Sequence, residues 1–273
     1  MILLLLDIGN TRVKWARLVG GKMGKQQAAA NAQWGVAHYA RRVIGRGWAH
    51  GTSRIVVSSV AGDEVNGLLI DAARQAGAPV PEFVVSERSA AGITTDYLDP
   101  WRLGVDRFLG AIGAHHLASG QPACVVNVGT AITIDLVDAG GRHQGGAIVP
   151  GPELMVGSLL THTSGIRRRA VGGPSGITSL FAKTTRTAIG QGARYAAAAV
   201  IDRAIEEARI QLGTRPLVLL TGGGSVVIKP LIRSAAVSLP DLVLHGLAVW
   251  ARKTPPPAPV RQISRKRKRR RLD

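Results

Sequence analysis

The segment Ile2-Leu3-Leu4-Leu5-Leu6-Asp7-Ile8-Gly9-Asn10-Thr11 is a short aliphatic run ending in a carboxylate, a glycine and two small polar residues. Residues 3–8 read as a buried strand, and residues 12–19 as a second strand joined to it by the tight turn Gly9-Asn10-Thr11. The pattern returns about 120 residues later. There Val126-Asn127-Val128-Gly129-Thr130 closes a second buried strand over 124–128 and turns at Gly129-Thr130-Ala131. It continues as a strand over 133–137 with polar residues at Thr133 and Asp135. A strand, turn and strand repeated in this way imply an internal duplication and two homologous half-molecules.

Outward from the two hairpins, helical and strand patterns alternate. The first half has a helical pattern over 34–44, a strand over 54–60, a helix over 63–76, a strand over 82–86 and a helix over 108–117. The second half has helices over 153–160 and 185–211, a strand over 217–220 and a last helix over 241–252. Such alternation predicts an α/β fold with helices covering a mixed sheet. The expected division is a first domain over 1–120, a second over 121–253 and a tail over 254–273.

A chain of 273 residues with 45% hydrophobic residues can bury a full core. The run Ile2 to Leu6 is too short for a membrane span or a signal peptide's apolar region and is cut by Asp7, so the expectation is a cytoplasmic protein without membrane contact. Cys124, the single cysteine, sits in an apolar stretch and reads as a small buried hydrophobe. The net charge of +18 suggests a nucleic-acid binder until it is located. Residues 252–273 supply +9 of it, through ten Lys or Arg against one Asp. Pro255, Pro256, Pro257 and Pro259 form a stiff linker, and residues 265–271 are seven consecutive cations that repel one another, so the tail is expected to be disordered.

Three glycine-bearing turns each follow a buried strand: Asp7-Ile8-Gly9-Asn10-Thr11, Asn127-Val128-Gly129-Thr130 and Thr221-Gly222-Gly223-Gly224-Ser225. Glycine lets the backbone approach a ligand closely, and the N–H groups and hydroxyls of such turns can hold phosphate oxygens. One such turn is usually only a turn; three in a duplicated frame point to nucleotide phosphates. Asp7 ends an otherwise aliphatic strand, where a carboxylate needs a cation or a hydrogen-bonding partner. A magnesium ion on ATP oxygens would supply one, and an Asx turn with Asn10 or Thr11 is the plainer alternative. No Walker A sequence exists, since Gly24-Lys25 is followed by Gln26, and Val227 stands at the third glycine position of a Rossmann fingerprint.

Leu103-Gly104-Val105-Asp106-Arg107 opens a helix with a carboxylate and a guanidinium side by side. Asp106 either complements the helix dipole or serves as a general base, beside a cation that grips an anionic alcohol substrate. His115 and His116 point in different directions from a helix and make poor joint metal ligands. Arg167-Arg168-Arg169, ahead of Gly172-Gly173-Pro174, reads as a solvated loop.

Five motifs in order resemble type III pantothenate kinases over about residues 2–250: Asp7-Ile8-Gly9-Asn10-Thr11; Tyr97 ahead of Leu103-Gly104-Val105-Asp106-Arg107; Gly129-Thr130-Ala131-Ile132-Thr133-Ile134-Asp135; Gly145-Gly146-Ala147-Ile148-Val149-Pro150-Gly151; and Thr221-Gly222-Gly223. The resemblance implies the actin-like ATPase fold, two ribonuclease-H-like domains with ATP in the cleft between them, and transfer of the γ-phosphate to pantothenate at the start of coenzyme A synthesis. It implies that Asp7, Ile8, Gly9, Asn10, Thr11, Arg12, Val13 and Lys14 form the first phosphate hairpin and Thr130 the second, with Gly222 and Gly223 near the adenosine. It assigns Tyr97, Gly104, Val105, Asp106 and Arg107 to pantothenate, with Asp106 as the base, and ATP is used with Mg2+. Members are dimers in which a threonine of the pattern T-x-x-A-I-x-x-G reaches pantothenate from the interface; here that residue is Thr185. One departure stands out: Asn127 replaces the usual Asp that helps bind a monovalent cation, K+ or NH4+, so that site is expected to be weakened or lost. Two rival readings are a kinase of the same fold for another small hydroxy-acid or sugar, and a regulatory protein that retains the fold and uses residues 265–271 on nucleic-acid phosphates.

Overall fold

The computed structural model describes residues 1–45, 48, 50–171 and 179–255. In chain order the strands and helices of the first part are β1 (Ile2–Ile8), β2 (Arg12–Val19), β3 (Lys22–Met23), β4 (Gln27–Ala30), α1 (Val36–Tyr39), β5 (Arg54–Ser59), α2 (Asp63–Gln75), β6 (Pro81–Phe83), β7 (Ser89–Ala90), β8 (Ile93–Thr95) and α3 (Val105–Ala118). The remainder are β9 (Ala123–Val128), β10 (Ala131–Val137), β11 (Arg142–Pro150), α4 (Pro152–His162), α5 (Ser164–Arg169), α6 (Thr185–Leu212), β12 (Leu217–Thr221), α7 (Ser225–Ile228), β13 (Val237–Ser238) and α8 (Leu242–Lys253).

The duplication is visible in the pairing. One sheet runs β3-β2-β1-β5-β6, and the other contains β11-β10-β9-β12-β13 in the same spatial order. In each, an antiparallel hairpin comes first (β1 with β2, β9 with β10), and the first strand then takes a parallel neighbour from across a helical crossover (β5, β12). Two halves with one strand order are therefore present, as the repeated turn predicted, in keeping with the two ribonuclease-H-like domains that the resemblance implies. Additions differ: β4 pairs with β2 in the first sheet, while β8 and β7 extend the second beyond β11.

β1 shows why an unbroken leucine run suits this position. Leu3 and Leu5 point to one face, against α3 and α8, and Leu4 and Leu6 to the other, against α1 and α2. All four are fully buried, each contributing roughly 1.5–3 kcal/mol relative to exposure. In the second sheet Cys124, Val126, Val128, Ile132 and Ile134 pack on Ala197, Ile201 and Ile205 of α6, and Ala123, Val125 and Leu219 face Ala114 and Ala118 of α3. The α3 and α8 pair thus lies between the two sheets. It packs backbone against backbone: a Cβ on Gly113 would fall 2.7 Å from the Leu242 carbonyl oxygen, and one on Gly246 would overlap the Leu109 carbonyl.

Two segments cross between the halves set out as 1–120 and 121–253. β7 and β8 hydrogen-bond into the second sheet, and α8 packs on the leucines of β1 in the first. Cys124 is buried, and burial pushes its thiol up to about 12. Arg167-Arg168-Arg169 is corrected from a loop to the last turn of the short helix α5. The predicted disorder of the tail concerns residues of which 256–273 lie outside the described residues, as do Gly172, Gly173 and Pro174. Among the described residues no helix is long and apolar enough to cross a membrane.

Candidate active site

Both hairpin tips and the turn after β12 open into one cleft between the sheets. Its lining includes Asp7, Gly9, Asn10, Thr11, Arg12 and Lys14 from the first hairpin and Asn127, Gly129, Thr130, Ala131 and Thr133 from the second. Gly222 and Gly223 come from the turn after β12, with Val60 and Asp106 completing the wall. Each tip is closed from its glycine, the first by Gly9 N–H donating to the Arg12 carbonyl at 2.9 Å and the second, one residue shorter, by Gly129 N–H donating to the Ala131 carbonyl at 3.0 Å. Asn31 holds the first tip from outside: its Nδ2 donates to the Gly9 carbonyl at 3.1 Å and its backbone N–H to that of Thr11 at 3.2 Å. Gly222 is obligatory, because its φ is +89° and a Cβ there would come 2.6 Å from Asn127 Oδ1.

Of the sequence-predicted residues, Asp7, Gly9, Asn10, Thr11, Arg12, Lys14, Asp106, Asn127, Thr130, Gly222 and Gly223 meet in this cleft. Ile8 and Val13 do not; both are fully buried in the core beneath the hairpin, which they anchor. Tyr97 lines a separate shallow depression with Asp96, Leu98, Asp99 and Arg102. Thr185 opens α6, whose N-cap is Thr184, and is not part of the cleft within this chain. Val60, Ala131 and Thr133 are cleft residues that the sequence reading left out of the site. Thr133 had a signal: it is polar within an apolar strand, directly opposite Asn127 in the β9–β10 register.

Asp106 occupies the first turn of α3, and its Oδ1 accepts the Arg107 backbone N–H at 2.9 Å. Gly104 makes room for it, since a Cβ there would sit 2.8 Å from that oxygen. Burial raises the Asp106 carboxyl above the ordinary Asp range, the charge on Asp135 adds to this, and the Arg107 N–H and guanidinium oppose it. Burial also raises Asp7, to about 6, with Asp106 pushing further up and Lys14 and Ser58 pulling down. Two carboxyls reluctant to ionise side by side, in a cleft shared with two glycine turns, form a site that welcomes cations and proton transfer.

Arg107, read from the sequence as a cation for an anionic substrate, makes an ion pair within the protein. The residue is 6% exposed and its guanidinium is bound to Asp135, with Nη2 at 2.6 Å from Oδ1, while Nη1 donates to the Tyr97 hydroxyl at 2.8 Å. The motif's cation is therefore already paired within the protein.

A family model described as type III pantothenate kinase matches residues 3–207. A type III pantothenate kinase of Nitrosococcus oceani is 37% identical over 259 residues, 93% of this chain and 95% of that one. Another, of Herminiimonas arsenicoxydans, is 37% identical over 262 residues, 93% of this chain and 99% of that one. Among solved structures, component A of the (R)-2-hydroxyglutaryl-CoA dehydratase of Acidaminococcus fermentans is similar in fold, with a TM-score of 0.52 at 11% identity, over 92% of this chain and 96% of that one. Nearly the whole chain is covered by its kinase relatives, and the chain belongs to the type III pantothenate kinase family.

Proposed function

We propose that this chain is a pantothenate kinase that transfers the γ-phosphate of ATP to the primary hydroxyl of pantothenate, giving 4'-phosphopantothenate and ADP. The observation that carries the reading is the meeting of Asp106 with both glycine-turned hairpins in one cleft. The Asp106 carboxylate accepts the hydroxyl proton as that oxygen attacks the γ-phosphorus in line, and the bond from phosphorus to the β,γ-bridging oxygen breaks. A carboxyl raised by burial is a stronger base than an ordinary Asp. The N–H groups of the tips, the hydroxyls of Thr11 and Thr130, and the charges of Arg12 and Lys14 stabilise the phosphate oxygens. Gly222 and Gly223 border the adenosine side.

Asp7 suits magnesium: its enclosed carboxyl gains from a cation, and magnesium asks for only one or two protein carboxylates beside substrate oxygens and water. Bound there, the ion would neutralise phosphate charge. Among the described residues no group of three His, Cys, Asp or Glu forms a fuller cage. A monovalent cation at Asn127 would meet an amide dipole in place of a charge, which supports weak K+ or NH4+ binding.

Pantothenate is read as lying along Tyr97 and the turn Gly104, Val105, Asp106 and Arg107. A second copy of the chain supplies Thr185 to it. What supports a homodimer is two exposed apolar features: α4, an apolar helix with no buried residue and with Leu154 and Leu159 exposed, and Phe181, which is 88% exposed and lies four residues ahead of Thr185 in the chain. The enzyme is read as cytoplasmic, and residues 265–271 as adding salt-dependent affinity for nucleic acid.

The test is a coupled assay of ADP release with ATP, magnesium and pantothenate. Pantothenate-dependent turnover is expected. Turnover with another alcohol and none with pantothenate would refute the substrate.

A further inference from the structure

Behind the cleft lies a closed ring of hydrogen bonds centred on His143, a fully buried residue of β11. His143 Nε2 lies 2.8 Å from Asp135 Oδ1, and Nδ1 lies 2.9 Å from Thr95 Oγ1. The Thr95 hydroxyl also accepts the Tyr97 backbone N–H at 3.2 Å. On the other side Asp135 accepts Arg107 Nη2 at 2.6 Å and Nε at 3.1 Å, and Arg107 Nη1 returns to the Tyr97 hydroxyl at 2.8 Å. With a proton on Nε2 and the lone pair on Nδ1, every link has one donor and one acceptor. The Tyr97 ring stands 6.0 Å from that of His143 and 5.4 Å from the Arg107 guanidinium carbon.

The backbone is shaped around this ring. β8 and β11 pair so that Thr95 and His143 are direct partners. Gly146 is opposite Asp135 across β10 and β11, and a Cβ there would lie 2.7 Å from both Arg107 Nη2 and Asp135 Oδ1. Buried ion pairs contribute little net stability compared with apolar packing, because desolvation offsets their attraction. A fully connected polar ring does give one fixed geometry. Two of its members are Tyr97, held at both its backbone and its hydroxyl, and Arg107, whose N–H bonds the Asp106 carboxylate.

We infer that His143 is a positioning residue for the alcohol-substrate side of the site: by fixing Asp135, and through it Arg107, it sets where the Tyr97 ring and the Asp106 turn stand. The inference rests on the pantothenate kinase reading.

The test is steady-state kinetics of the full chain with ATP and pantothenate, for the natural protein and for His143→Leu, His143→Gln and Thr95→Val, each checked for folding by circular dichroism and thermal melting. His143→Leu and Thr95→Val are expected to lower kcat/KM for pantothenate by roughly tenfold to a hundredfold, as small misplacement of reacting groups does, with the KM for ATP unmoved. His143→Gln retains an N–H for Asp135 and should recover most of the loss. A folded His143→Leu protein with natural kcat/KM for pantothenate, or with equal damage to the KM for ATP, overturns the role. If His143→Leu does not fold, Thr95→Val decides by the same readouts. No turnover by the natural chain refutes the kinase reading and this inference with it; turnover with unmoved pantothenate constants refutes the inference alone.

Discussion

Replacing Asp7 by Asn should stabilise the folded chain above pH 6 while abolishing turnover. The natural carboxyl is raised from 3.8 to about 6 in the folded state. Between those values the folded chain binds more protons than the unfolded one, so this group's contribution to stability falls as pH rises through that window. Above the window the penalty is constant, because a charge is held where burial disfavours it. A shift of about two units corresponds to about 3 kcal/mol at most, and the part of the carboxyl open to the cleft reduces this to roughly 1–3 kcal/mol. An amide keeps the shape and carries no charge. The assay is thermal or urea unfolding of both proteins, without nucleotide, from pH 4 to pH 8. The variant should melt several degrees higher at pH 8, at roughly 2–4 °C per kcal/mol for a chain of this size, and the gap should close toward pH 4. Equal melting at pH 8, or a gap that widens on acidification, would refute the reasoning.

Asp106→Asn should lower the rate by about a hundredfold to ten-thousandfold with ATP affinity retained, since the amide cannot accept the hydroxyl proton; nucleotide binding by calorimetry beside turnover checks it, and near-natural turnover would remove Asp106 from the mechanism. Asn127→Asp should tighten the activation of turnover by K+ against a sodium or Tris background, because a full charge replaces a dipole at the cleft; identical K+ titrations of the two proteins would show the position to be neutral.

The sequence by itself determined the two hairpins, their duplication and most of the cleft. The reason is local. β1 and β9 are apolar apart from Asp7 and Asn127 near their ends, and β2 and β10 carry the alternation of a half-covered strand, so hydrophobic pattern and turn glycine agree within a few residues. The same agreement placed Asp7 and Asn127 near strand ends, where both line one cleft. Strands of two or three residues, such as β3, β7, β8 and β13, carry too few residues to show a period, and β11 opens with Arg, His and Gln and has glycines at its centre. Their positions follow from neighbours that pair with them.

Tertiary structure alone decided the state of the charged groups. Arg107 reads as a substrate-facing cation in its motif on α3, yet its ion-pair partner Asp135 is 28 residues away on strand β10. His143, 48 residues from Thr95, had no sequence signal, because a lone histidine acquires meaning only from the atoms that packing brings to its two nitrogens. The height of the Asp7 pKa is of the same kind: it depends on how much water the two sheets exclude and on an Asp106 carried in by α3. Pattern in a sequence reports which face of an element is apolar, whereas desolvation and ion pairing depend on distances between elements, which only the assembled fold sets.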